Sequence, residues 1–389
     1  MKRIILMVLA AAVIAVPAWA FHDDGVAHCD GCHTMHNSED GAGVNFDLLG
    51  GPGTDPGTGY DDLLLYENAS DVCLACHGGA RSYNVFTDDP LDPGLSNYYS
   101  AGNFVFLLED NLNDGHAGAN NPIPGQAGGH NIPSGLKGSA WDTTLSAPPS
   151  DGSSPLQNNQ IHCSSCHDPH GTGSFRLLYQ AGQTIEVGGD LVPFTDTIMA
   201  YGISFGDVET DDHHNSYVSG YSGWCDACHT GFHMSGENIH PSGVSIGPII
   251  AAKYNKYDGT TDCVNTPPTP GIPCGTGGSA TSYLADVPFE DNSHDDTTTE
   301  STQGPNSNSR VACVTCHRAH ATSAPNSGRW DFAVTFMDED GIESGSWAIP
   351  HSYDGNQRSL CNKCHTQDEF DLLIVPPPAP GFDGGPEAP

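Results

Sequence analysis

Six copies of the pattern Cys-x-x-Cys-His recur along this chain and account for twelve of its fourteen cysteines. Two thiols three residues apart lie on one face of a single helical turn, where they can bond to the two vinyl groups of one haem. The histidine that follows brings its imidazole beneath the iron as the proximal ligand. A lone Cys-x-x-Cys would equally suit a zinc site, a redox dithiol or a disulfide, but here every pair precedes a histidine. The sequence therefore predicts six covalently attached haems c.

We number the six motifs as sites 1 to 6 in chain order. Their proximal histidines are unevenly spaced, so the motif repeats without the fixed period of a solenoid. The first cysteines are Cys29, Cys73, Cys163, Cys225, Cys313 and Cys361; the second cysteines are Cys32, Cys76, Cys166, Cys228, Cys316 and Cys364; the proximal histidines are His33, His77, His167, His229, His317 and His365.

Histidine is also predicted to be the distal ligand of each iron. Fourteen of the 20 histidines remain after the proximal six, whereas the chain has only six methionines. Two histidine ligands leave no open coordination position, so such an iron exchanges electrons and does not bind a substrate. His36, His170 and His320 each follow a proximal histidine by three residues. Each therefore lies on the proximal side of its own haem and can reach only a neighbouring one.

Other histidines and the two remaining cysteines complete the candidates. His130, His240 and His294 lie in loops between motifs and are further distal candidates, with His22, His162 and His233 in reserve. Cys263 and Cys274 flank a Thr/Pro/Gly-rich stretch and are predicted to form a disulfide rather than a metal site, as expected in an oxidising compartment. The histidines predicted to be solvated are His28, His116, His213, His214 and His351.

The start of the chain has the features of a secretory signal peptide, predicted to span residues 1–20. Lys2 and Arg3 precede an apolar run, and Ala18-Trp19-Ala20 gives a cleavage site. The apolar run is too short for an ordinary membrane span. We expect residues 21–370 to form a single hexahaem cytochrome domain and the Pro/Gly-rich residues 371–389 to form a tail. Export agrees with haem attachment outside the cytoplasm.

The composition predicts a fold of mostly coil with short helices wrapped around a stacked haem chain, with little regular sheet. The chain holds 47 glycines and 29 prolines, and only 37% of its residues are hydrophobic. Such a chain cannot build an ordinary core, so the haems must supply much of it. We predict a helix at 249–257 and short strands or packing segments at 104–108, 175–179 and 332–336. Loops are expected at 50–59, 110–135 and 291–309.

The charge of the chain is strongly negative. Removing Lys2 and Arg3 with the signal lowers the formal net charge from -36 to -38. This excludes nucleic acid and anionic membrane surfaces as natural partners and suits an exported protein that meets cations or basic partners.

The blocks at 21–38, 161–171, 224–230, 313–320 and 360–365 resemble the OmcS-like family of hexahaem c-type cytochromes. Haem count, motif order and the Cys-His-x-x-His positions agree with that family. The resemblance implies a filament with a continuous haem chain, histidine on both faces of every iron, and electron transfer from the cell to extracellular acceptors. It also implies that His36 ligates a haem of the neighbouring subunit, that of site 5. The Cys263/Cys274 pair and the tail depart from the family pattern.

Three functions are consistent with these residues. The leading hypothesis is a non-enzymatic electron conduit, secreted to the cell surface, that polymerises with itself and receives electrons from periplasmic or outer-membrane donors for metal oxides or other cells. The second is a monomeric periplasmic or extracellular carrier with the same haems. The third is a multihaem reductase, which would need an iron with an open position; the absence of a Cys-x-x-Cys-Lys variant and the surplus of histidines disfavour it.

Overall fold

The computed structural model describes residues 29–34, 38–39, 42–43, 60–79, 84–88, 100–108, 128–171, 173–203, 209–232, 240, 242–256, 277–334, 336–340 and 359–365. All six motifs lie within these residues. The predicted signal segment 1–20, the tail 371–389 and the loop at 50–59 lie outside them. So do the Cys263/Cys274 pair and the candidate ligands His22, His36 and His233, together with His28, His116 and His351.

Each attachment motif lies in a short helical segment. The α-helices are α1 (Ala69–His77), α2 (Tyr221–Asp226), α3 (Gly247–Tyr254) and α4 (Cys313–Cys316). Three motifs use α1, α2 and α4. The other three begin in the 3-10 turns Cys29–Gly31, Cys163–Ser165 and Leu360–Lys363. The further 3-10 turns are Asp61–Leu63, Phe104–Leu108, Phe175–Leu177, Asp296–Glu300, Pro325–Ser327 and Met337–Glu339.

Helix α1 shows how local sequence fixes such a segment. The side chain of Asn68 accepts a hydrogen bond from the Asp71 N–H at 3.0 Å and caps the helix start. Gly78 ends the helix by donating its N–H to the Leu74 carbonyl.

The helix predicted at 249–257 is present as α3, which begins at Gly247 with a proline in its first turn and ends at Tyr254.

Sheet structure consists of three two-stranded antiparallel ribbons in the described part of the chain. They pair β1 (Ser38–Glu39) with β2 (Ala42–Gly43), β3 (Thr184–Val187) with β4 (Asp190–Pro193), and β5 (Met199–Tyr201) with β6 (Ser216–Ser219). The β3–β4 turn is Gly188-Gly189, with φ of 57° and 92°. Both residues of such a tight hairpin turn need positive φ, which glycine adopts freely. Little sheet and mostly irregular chain agree with the fold class predicted from composition.

The three segments predicted as short strands or packing segments are packing segments. Phe104–Leu108 forms a 3-10 turn whose first four residues are buried. Phe175–Leu177 is also a 3-10 turn, and 332–333 form a turn. The strand alternative was therefore wrong at 104–108 and 175–177, because these residues reach the core as single turns. The predicted loop at 291–309 contains the 3-10 turn Asp296–Glu300.

Among the described residues, the apolar core is divided into four small clusters, and each touches at least one haem-attachment cysteine. The first, around Phe86 and Phe106, packs against Cys163. The second, around Tyr254 and Trp330, packs against Cys316 and Cys364. The third packs against Cys166 and the fourth against Cys228. A core divided in this way is what the composition predicted for a chain whose haems supply the remaining apolar volume.

Two ion pairs are buried in the described part of the chain. Arg329 lies 3.7 Å from Glu209, and Arg318 lies 3.8 Å from Asp286, with all four side chains at most 6% exposed. Buried pairs of this kind are costly to break, because removal of one partner leaves an uncompensated charge.

No helix among the described residues is long and apolar enough to cross a membrane.

Candidate haem-binding sites

The attachment motifs share one local geometry. In five motifs the N–H of the proximal histidine donates to the carbonyl of the first cysteine at 2.8–3.1 Å; in site 2 the whole motif lies within α1. This is the hydrogen bond of one helical turn. It places both thiols and the imidazole on consecutive positions of that turn, as covalent attachment of a haem requires.

The proximal imidazoles are oriented by their Nδ1 atoms. His33, His167, His229 and His317 donate Nδ1–H to main-chain carbonyls at 2.8–3.0 Å. A carbonyl can only accept, so Nδ1 carries the proton and Nε2 has its lone pair free for iron. This is the usual arrangement of a metal-ligating histidine.

Sites 1, 3 and 5 are copies of one structural module. In each, the carbonyl that accepts from the proximal imidazole belongs to the first of two consecutive residues with φ of 51–60°, the left-handed region. We call these two residues the left-handed pair. The three pairs are Asp62 and Leu63, Arg176 and Leu177, and Asn326 and Ser327, and they include every residue other than glycine with positive φ in the described chain.

Two more hydrogen bonds complete the module. The residue after the proximal histidine donates its N–H to the second residue of the left-handed pair at 2.8 Å in all three sites. The second cysteine accepts from a main-chain N–H two residues beyond the pair, at 2.8–3.3 Å. The left-handed region is strained for residues with a Cβ atom and persists where the surroundings over-determine it. The strain therefore lies at the point that aims each imidazole.

Four proximal imidazoles face a second imidazole across a gap that fits one iron. The ring centres are separated by 6.2 Å for His33 and His170, 6.3 Å for His167 and His320, 5.8 Å for His229 and His130, and 5.8 Å for His365 and His240. Iron–nitrogen bonds of about 2 Å on each side, with roughly 1 Å more to each ring centre, place two axial imidazoles about 6 Å apart. The donor set and its spacing fit a haem iron with two histidine ligands.

These pairs use four of the six histidines predicted as distal ligands. His130 also donates Nδ1–H to the Ala319 carbonyl at 2.6 Å, as the proximal histidines do to theirs. His170 and His320 each lie opposite the proximal histidine of the preceding odd site. The second histidine of a module, three residues after the proximal one, therefore reaches the module before it, two sites back along the chain.

The remaining candidates have other surroundings. His294 donates Nδ1–H to the Tyr217 carbonyl at 2.8 Å, which leaves Nε2 free; among the described rings, none lies opposite it. Burial lowers the pKa of His294. His162 hydrogen bonds through Nδ1 to the hydroxyl of Ser70 at 3.3 Å and contacts the Trp141 ring edge-on. His77 and His317 belong to none of these four pairs.

His214 was predicted to be solvated, and this is wrong. Its side chain is 1% exposed and stacks on Tyr283 with ring centres 3.6 Å apart. Its Nδ1 and Nε2 approach the carbonyls of Asn215 and Ser301 at 3.0 and 2.9 Å. The neighbouring His213 is partly exposed and contacts Glu300 at 2.6 Å. The sequence Asp-Asp-His-His looks polar throughout, and only tertiary packing separates the two rings.

The attachment cysteines approach one another in chain order. Cys73 hydrogen bonds to Cys163, which raises the pKa of the Cys73 thiol. A hydrogen bond between Cys225 and Cys313 likewise raises the pKa of the Cys225 thiol. Burial raises the pKa of Cys166 to about 12, and the nearby Cys228 adds to the effect. Burial and then Cys76 raise the pKa of Cys32; burial and then Cys361 and Cys364 raise that of Cys316. The six sites therefore form one row from site 1 to site 6.

A largely irregular chain that arranges six haem-attachment motifs in one row is a multihaem c-type cytochrome. No protein-family model matches the chain. It is 30% identical to the C-type cytochrome OmcS of Geobacter sulfurreducens, over 94% of this chain and 99% of that protein. The chain belongs to the OmcS family.

Solved structures agree with this assignment. One, described as an outer membrane cytochrome S filament from the same organism, matches with a TM-score of 0.69 and 27% identity, covering 90% of this chain and all of the other. Another, described as OmcS nanowires, matches with a TM-score of 0.70 and 28% identity over the same shares of the two chains. The resemblance noted in the motif blocks therefore extends through the fold.

Proposed function

We propose that this chain is secreted and polymerises into extracellular filaments that conduct electrons along six haems per subunit. The haems are held by the twelve motif cysteines, and each iron has two histidine ligands. When bound, each haem cycles between ferric and ferrous iron. Membership of the OmcS family, the relatives' description as filaments and nanowires, and the unbroken row of sites support this function.

The observation that carries the proposal is the offset between modules. His170 of site 3 faces the proximal histidine of site 1, and His320 of site 5 faces that of site 3. His36 occupies the same sequence position in site 1, but its own chain has no odd site before it. The same offset continued into a neighbouring copy would bring His36 to the haem of site 5, held there by His317. Head-to-tail polymerisation then completes the ligand set of that haem.

The ends of the row suit such a junction. Cys29 of site 1 and Cys361 of site 6 are both exposed, while among the inner sites only Cys76 is. A haem at each exposed end can approach that of the next subunit, so the row continues through the polymer. The remaining ligand assignments within our proposal are His130 for site 4 and His240 for site 6.

Substitution of His36 by alanine tests the proposal. We expect one of the six haems to become high-spin, seen by electron paramagnetic resonance of the oxidised protein, and filaments to disappear from cryo-electron micrographs. His213→Ala, which removes a partly exposed histidine paired with Glu300, is the matched control and should leave both unchanged. Normal filaments with six low-spin haems in His36→Ala would refute ligation across the subunit boundary.

The second candidate is a monomeric periplasmic or extracellular carrier with the same haems. It predicts single particles in the wild-type secreted protein and no effect of His36→Ala on assembly. Its donors and acceptors would be other redox proteins, whereas a filament delivers electrons to metal oxides or other cells. In both cases we assign electron transfer rather than catalysis and no catalytic residue.

A further inference from the structure

The residue after the proximal histidine differs in charge among the three copies of the module. It is Thr34 in site 1, Asp168 in site 3 and Arg318 in site 5. In all three its N–H donates to the second residue of the left-handed pair at 2.8 Å. The module thus holds the main chain in one arrangement while the side chain changes from neutral to anionic to cationic. Each of these residues lies between two iron ligands: the proximal histidine before it and, two positions later, the histidine that reaches the preceding odd site.

Asp168 places its carboxylate beside the distal imidazole of site 1. Its Oδ1 accepts the N–H of His170 at 2.9 Å and lies 4.0 Å from Nδ1 of the same residue. The imidazole of His170 faces that of His33 across the gap that fits the first iron. The Asp168 side chain is 18% exposed, whereas that of His170 is 78% exposed. The influence of the carboxylate on this ligand therefore comes from proximity rather than from a water-free environment.

Four other imidazoles in these pairs have a neutral acceptor where His170 has a carboxylate. His33, His130, His167 and His229 direct Nδ1 towards main-chain carbonyls, which are neutral. His170 instead has a carboxylate on that side of the ring. A carboxylate near Nδ1–H makes the imidazole a stronger electron donor and stabilises the more positive, ferric state of the iron.

Site 3 has the opposite environment. Arg176, whose carbonyl accepts from the proximal His167 at 2.8 Å, carries a positive charge at this site. Arg318 lies two residues before His320 and is buried, with Asp286 3.8 Å away as its partner. Site 1 instead has Asp62, an exposed carboxylate residue, at the position that Arg176 occupies in site 3. Cations near an iron favour its ferrous state, because reduction removes one positive charge.

We propose that Asp168 lowers the reduction potential of the first haem, so that it is the most strongly reducing of the three odd-numbered haems. This inference rests on the ligand pair His33 and His170 in the proposed function. An electron that enters at site 1 then moves downhill to site 3, where Arg176 and Arg318 favour the reduced state. This difference in reduction potential between sites 1 and 3 recurs in each subunit. It gives electron transfer a preferred direction at the entry end of the row. Asp168 acts on the iron through His170 and is a positioning residue.

The test is Asp168→Asn in the haem-loaded, full-length protein. Asparagine keeps the oxygen that accepts from the His170 N–H and removes the charge. We expect the midpoint potential of the first haem to rise and the others to change less, measured by following haem methyl signals in nuclear magnetic resonance through a redox titration. His170→Ala identifies those signals, because loss of its distal ligand makes that haem high-spin. Asp168→Glu keeps the charge and should restore a low potential.

A control and two outcomes separate this inference from the ligation on which it rests. Asp190→Asn removes the same charge from a carboxylate that accepts from Gln157 and Asn158, and should leave the first haem unchanged. If His170→Ala retains six low-spin haems, the ligand assignment itself is wrong. If His170→Ala produces one high-spin haem but Asp168→Asn leaves its midpoint potential where it was, the ligation stands and the role of Asp168 is refuted.

Discussion

The odd-numbered and even-numbered sites of this cytochrome hold their imidazoles by different means. Sites 1, 3 and 5 use a strained left-handed pair whose first carbonyl accepts from the proximal imidazole. Site 4 uses the Pro149 carbonyl, and at site 2 the buried Asp71 ties the start of α1 to the segment 134–136. One repeated backbone device serves half the sites, whereas sites 2 and 4 each have a contact of their own. The module is therefore the translational unit of the row, and the even sites are fitted between its copies.

The largest effect is expected when one haem is removed, either from the middle of the row or from its end. Site 3 joins two core clusters, because Cys163 packs against the first and Cys166 against the third. Among the described residues, Cys364 of site 6 packs against the second cluster alone. We expect replacement of both site 3 cysteines by serine to prevent folding, and the same change at site 6 to leave a folded five-haem protein. Haem content and thermal unfolding measure both, and equal stability of the two variants would contradict the distinction.

The next test concerns the side-chain support of site 2. Asp71 is 1% exposed and accepts from Asn68, Ser134 and the N–H groups of 135 and 136. Asp71→Ala leaves these donors unpaired and should cost about 3 kcal/mol of unfolding free energy. Asp88→Ala removes an exposed carboxylate paired with Lys137 at 2.6 Å and should cost less than about 1 kcal/mol. Denaturant titration compares them, and similar losses would mean that Asp71 has no special role.

The left-handed pair supplies a smaller and more specific test. Asn326 has φ of 60°, so Asn326→Val should destabilise the protein by about 1–2 kcal/mol, whereas Asn326→Gly should be tolerated. Ser150→Val, next to the carbonyl that serves site 4, is the even-site control and should have little effect. Chemical denaturation measures all three. A valine at 326 without cost would show that the pair is not held in the left-handed region.

Sequence predicts the sites of this protein better than it predicts what supports them. Covalent attachment needs a fixed spacing, which the sequence shows directly. The recurring histidine three residues after the proximal one predicted that His170 and His320 reach neighbouring haems, and the ring distances agree with this. The left-handed pairs were invisible, because Leu63, Arg176 and Leu177 occupy positions where glycine would have been the signal. The burial of His214 and the pairing of Arg329 with Glu209 depend on contacts between distant segments, which local patterns do not encode.

A further small loss should come from Asp291, a buried carboxylate that, like Asp71, accepts several hydrogen bonds. Burial opposes its charge, but hydrogen bonds from Ser293, Ser309 and Asn306 outweigh this and lower its pKa from the ordinary aspartate value of 3.8. A pKa depressed by folding stabilises the protein above the unfolded-state value, and this contribution is lost as the pH falls through the folded-state value. Asp291→Asn should therefore cost about 1 kcal/mol near neutral pH. The difference from wild type should shrink as the pH falls below 3.8. Unfolding free energies measured across that range check the sign, and a difference that grows in acid would mean that the carboxylate is not stabilised as its contacts indicate.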